Sequence, residues 1–72
     1  MQSYYVTIST NTTTEHHLVD AVSLNQAAIK GRNILMQYGP AWEMSVWPVG
    51  MSKSQADYGD QLVRLSYDEV GS

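Results

Sequence analysis

Glu15, His16, His17 and Asp20 form the one local group of metal-ligating side chains in this sequence. The stretch from Glu15 to Val22 reads as a strand, and adjacent strand residues point to opposite faces. His16 and His17 therefore cannot easily share one ion. The expectation is one imidazole at the rim and one on the open face, with no metal bound. The chain contains no cysteine, so a thiolate metal site and a disulfide are both excluded. No serine sits in a Gly-x-Ser-x-Gly elbow. No Gly-Lys-Ser/Thr phosphate loop follows a strand. With 72 residues there is little room for a pocket of several hundred cubic ångströms. The chain is expected to use no cofactor and to be no enzyme.

The chemistry that remains is contact. Tyr5 and Trp47 are expected on a sheet face away from the helix, and Ile29, Arg32 and Met36 on a helix flank. Exposed aromatics and arginine are the residue types that anchor protein interfaces. Glu43, Asp57 and Asp60 are candidates to meet basic groups on a partner. The net charge is −3, from 4 basic and 7 acidic residues. Lys30, Arg32, Lys53 and Arg64 are thinly spread, which argues against direct nucleic-acid binding and suits a basic protein surface. A homodimer that buries Tyr5 and Trp47 against their symmetry mates is the alternative. No apolar run approaches the roughly 20 residues of a membrane span, and no charged-then-apolar leader opens the chain. The expected setting is the cytoplasm, away from membranes.

These side chains need a scaffold, and one helix organises it. Ser23 is an N-cap candidate with Gln26 three residues on, the spacing of a capping box. Gly39 can close the helix in a positive-φ conformation, and Pro40 cannot continue it. Between them Leu24, Ala27, Ala28, Gly31, Leu35 and Tyr38 fall on one stripe, with Ile34 at its edge. Gly31 in mid-stripe costs about 1 kcal/mol against alanine, which is compensated if the helix approaches a sheet closely.

The flanks read as strands. Tyr4 to Ser9 alternates with period two, and Thr10 to Thr14 is a turn-rich loop. In the second strand, Glu15 to Val22, either Leu18 or Val19 points inward. Ala41 to Val49 alternates again, with Trp42, Met44 and Val46 on one face and Glu43, Ser45 and Trp47 on the other. Pro48 marks its end. Gly50 to Asp60 reads as a long polar connection, Gln61 to Tyr67 as a fourth strand, and 68–72 as a flexible polar tail.

The fold class is therefore α+β: one domain over 1–72 with its core at about 4–67. A single four-stranded, mainly antiparallel sheet carries one helix on one face, in the order β-β-α-β-β. A right-handed crossover places the third strand parallel to the second but paired with the first, and the fourth at the edge. The far sheet face is left bare.

The run VDAVSLNQAAIKGRNILMQYGPAWEMSVWP, a strand, a Ser-Leu cap, an Ala-rich helix and a strand after a Gly-Pro turn, resembles very small phage-encoded inhibitors of host machinery. One group is the anti-CRISPR proteins that bind type I surveillance complexes. Another is the small RNA polymerase inhibitor of T7-like podoviruses, which shares the β-β-α-β order. The likeness covers about residues 4 to 48. It implies stoichiometric inhibition of a bacterial protein complex, a CRISPR-Cas effector first and RNA polymerase second. The polymerase inhibitor carries arginines on the strand after its helix. The matching strand here, Trp42 to Trp47, has none, so no binding residue carries over.

Overall fold

The computed structural model describes residues 1–71. Four strands, β1 (Gln2–Ser9), β2 (Thr14–Ala21), β3 (Glu43–Pro48) and β4 (Val63–Ser66), form one sheet in the order β2-β1-β3-β4. Every adjacent pair is antiparallel. The long helix α1 (Leu24–Leu35) lies between β2 and β3 in the chain. The α+β class, the central place of β1 and the edge position of β4 all match the reading from sequence.

The sheet forms here because β1 alternates apolar and polar residues, so that one register buries a whole set. Tyr4, Val6 and Ile8 of β1 and Met44 and Val46 of β3 are buried beneath α1, together with Ala21, Ala27 and Leu35. In β2 the choice falls on Val19, which packs against this core, while Leu18 is 63% exposed on the other face. Trp42 joins the core side as expected, but it precedes the strand rather than belonging to it.

Gly31 marks the close approach. A Cβ placed there would lie 2.6 Å from Met44 Sδ and within 3.3 Å of the side chains of Val46 and Val6. The helix can rest on β1 and β3 at that depth only without a side chain. At its start the Ser23 hydroxyl accepts from the Gln26 N–H at 3.2 Å, and the Gln26 side chain accepts from the Val22 N–H at 2.8 Å. The regular helix stops at Leu35, before the expected Tyr38. Residues 36–38 tighten into i→i+3 bonds, Gln37 to Ile34 and Tyr38 to Leu35, a common helix ending. Gly39 then takes φ 112°.

Two stretches differ from the sequence reading. The connection read as polar and irregular over Gly50 to Asp60 contains a helix, α2 (Lys53–Tyr58), with Ala56 fully buried. Ser52 caps it, and Gln55 reaches back to the Ser52 N–H at 3.0 Å in a complete capping box. The stretch read as a polar tail contains a short helix, α3 (Tyr67–Gly71). It is opened by Ser66 and Glu69 in the same reciprocal arrangement, at 3.3 and 3.4 Å. This helix ends the fourth strand at Ser66, and Tyr67 packs against the core instead; the strand also begins at Val63 rather than at the expected Gln61. Ser72, the end of the expected tail, lies outside the described residues.

Candidate functional site

The sheet face away from α1 is built from the alternate residues of each strand. Register aligns Leu18 of β2, Tyr5 of β1 and Trp47 of β3 directly across three strands. The Tyr5 and Trp47 rings lie 5.7 Å apart and tilted by 47°, a favourable aromatic arrangement. Tyr5 is 38% exposed and Leu18 more so. One row along, His16, Thr7, Ser45 and Arg64 align across all four strands. The face is therefore an apolar bar beside a polar one.

That face is not wholly bare, and here the sequence expectation needs correction. A cleft of about 330 Å³ is lined by Ser9, Glu43, Ser45, Arg64 and Ser66 from this side of the sheet, with Lys53 of α2 and Glu69 of α3 at its margin. Lys53 thus stands over the β3–β4 half of the face. Trp47 is half-buried rather than open. The unforeseen α2 folds back against β3, and the Tyr5 ring lies against the indole. Among the described residues, α2 packs chiefly on β3 and α3 on β4, away from β2.

The second candidate patch lies elsewhere. Ile29 (58% exposed), Arg32 and Met36 (46% exposed) follow one flank of α1, on the other side of the sheet from Tyr5. One flat partner surface cannot meet both patches. Of the acidic candidates, Glu43 opens β3 and lines the cleft. Asp57 and Asp60 are exposed at the end of α2, where Asp60 takes φ 57°. The structure does not bring these three into one cluster.

Sequence reasoning missed Leu18, because period-two alternation in β2 left its phase open. It also missed Lys53 and Glu69 at the cleft. The signals for the latter two were present: Ser52-x-x-Gln55 and Ser66-x-x-Glu69 have the same spacing that identified α1.

The two histidines face opposite ways. His16 Nδ1 lies 3.3 Å from the Thr7 hydroxyl on the open face. His17 Nε2 lies 2.7 Å from the Tyr38 hydroxyl on the helix side, with the rings edge to face at 6.0 Å. The pair cannot share an ion in this geometry. Among the described residues, no three His, Asp or Glu side chains converge as metal ligands.

Tyr38 also packs against Trp42, with centroids 4.8 Å apart and planes tilted by 58°. A hydrogen bond to the Glu15 side chain raises its pKa above 10, with part burial and the Glu15 charge adding to the effect. The neutral phenol is thus favoured in the folded state. The stability this contributes is fully present below pH 10 and is lost as pH rises through the elevated value. An alkaline titration followed at 295 nm should show a tyrosine ionising above pH 10, and Glu15→Gln should bring that step down.

Comparison of the chain with family models, with curated proteins and with solved structures finds no match. Among the described residues, no helix is long and apolar enough to cross a membrane.

Proposed function

We propose that this chain is a non-catalytic inhibitor that binds a bacterial protein machine stoichiometrically and masks a working surface of it. The observation that carries this reading is the cross-strand bar of Leu18, Tyr5 and Trp47 on the sheet face opposite α1. Apolar and aromatic side chains aligned on a rigid sheet lose little conformational freedom when a partner covers them. The polar row beside them, from His16 to Arg64, suits the hydrogen-bonding rim of such an interface.

The target proposed is a CRISPR effector complex. This choice rests on the likeness of the strand, capped helix and returning strand to anti-CRISPR proteins, and the mild acidity of the chain agrees with masking a basic, nucleic-acid-binding surface. A plasmid-interference assay in cells with defined CRISPR types tests it. Expression of the chain should restore transformation by a targeted plasmid in at least one type. Unchanged interference in every type tested removes the reading. Inhibition of in vitro transcription at excess protein would move the target to RNA polymerase.

A further inference from the structure

β2 is the long outer strand of the sheet, and its outward backbone groups can be assigned. The Val49 N–H donates to Ser3 O at 3.0 Å, which directs the odd residues of β1 toward β3. The even residues of β1 therefore bond β2. In the observed register their partners are Glu15, His17, Val19 and Ala21. Thr14, His16, Leu18 and Asp20 consequently present their N–H and C=O groups to the free edge, following the alternation of an antiparallel ladder. The Lys30 ammonium donates to the outward carbonyl of Asp20, which agrees with this assignment. β2 carries neither proline nor lysine, the strongest protections of an edge, and its two carboxylates, Glu15 and Asp20, stand near its ends.

The geometry points to a second copy of this chain as the occupant of that edge, paired antiparallel through β2 about a two-fold axis at Leu18. The proposal does not depend on the inhibitor reading. Register is what selects the partner. With Leu18 opposite Leu18 of the second copy, His16 faces Asp20 on both sides of the axis, an imidazole against a carboxylate. On the helix side, His17 faces Val19. Leu18, the most exposed member of the apolar bar, then joins its own mate, and the bar runs unbroken through six strands from Trp47 to Trp47. Centring on His17 would instead set His16 against Leu18 and Glu15 against Val19. Centring on Val19 would set Leu18 against Asp20. Only the Leu18 register matches apolar with apolar and base with acid on the open face, and such cross-strand pairs are what stabilise one register over another. Lys30 does not block it, because a carbonyl oxygen can accept two hydrogen bonds.

Sedimentation equilibrium over a range of concentrations, with nitroxide labels on the full chain, tests this. The expected result is a reversible dimer. Its Leu18→Cys label should show strong dipolar broadening, since paired strands are about 5 Å apart. A Thr14→Cys label should report a much longer separation, since that position lies opposite residue 22 of the second copy and so eight residues, about 27 Å, along the strand from its own mate. Leu18→Lys should weaken the dimer at least about tenfold by setting like charges face to face. Its far-UV spectrum should be unchanged, because the Leu18 backbone bonds point away from β1. A monomer at every concentration overturns the proposal, and so does a shorter separation at position 14 than at position 18.

Discussion

Gly31→Leu is expected to leave the chain unfolded at 25 °C. The first added carbon alone meets Met44 Sδ at 2.6 Å, Val46 Cγ2 at 3.2 Å and Val6 Cγ1 at 3.3 Å. The valines cannot withdraw at little cost, and the Met44 thioether, though flexible, has only a filled core to turn into. Met44 is 1% exposed, Val6 and Val46 are fully buried, and valine is stiff about χ1. Overpacking a filled core costs about 1–3 kcal/mol even for small additions. Leucine adds four carbons, against a net stability of about 3–5 kcal/mol for a single core of this size. Gly31→Ala separates the competing terms. It gains about 1 kcal/mol of helix propensity but still carries the 2.6 Å contact, so urea unfolding should show a net loss of about 1 kcal/mol. A rise in the melting temperature of Gly31→Ala would mean that Met44 turns aside at little cost and that the two valine contacts give way.

Trp47→Ala is expected to weaken binding to the target by more than 2 kcal/mol, about 30-fold in Kd. The indole is half-buried beside the Tyr5 ring, so a partner covering it completes a desolvation that the fold has begun. Trp47 stands at one end of the bar, next to Tyr5, and partly desolvated tryptophans are the side chains that most often carry an interface's energy. Part of the Trp47 side chain also supports the fold, so the variant's melting temperature must be measured alongside. Tyr5→Ala offers a second probe at a more exposed position of the same bar, and it should weaken binding in the same direction. Ile29→Ala lies on the α1 flank across the sheet and should change affinity little. If isothermal titration gives Ile29→Ala the larger loss, the interface is the helix flank and the sheet face is not the docking surface.

The two expectations draw on the same register. The alternation that buries Val6 and Met44 beneath Gly31 is what turns Tyr5 and Trp47 to the other side. Loss of one arrangement therefore implies loss of the other. It is also why stability and binding can be measured at separate positions of the same strands.

Much of this fold was legible in local sequence. Ser23 with Gln26, and Gly39 with Pro40, bounded the helix because caps and breakers act through neighbouring backbone groups. The alternation in Tyr4 to Ser9 and in Glu43 to Trp47 assigned inward and outward residues, because the side-chain period of a strand is two. The glycine in the middle of an apolar stripe signalled a close approach. From these the β-β-α-β-β order and the central position of β1 followed. The phase of β2 was not legible, since Leu18 and Val19 are both apolar and only pairing with β1 decides between them. Nor was the partial burial of Trp47, or the return of α2 against β3, a long-range packing choice that the Ser52 cap permits but does not specify. Local hydrogen bonding wrote the elements into the chain. Tertiary burial alone decided which side of β2 faces out and how much of the far sheet face stays open.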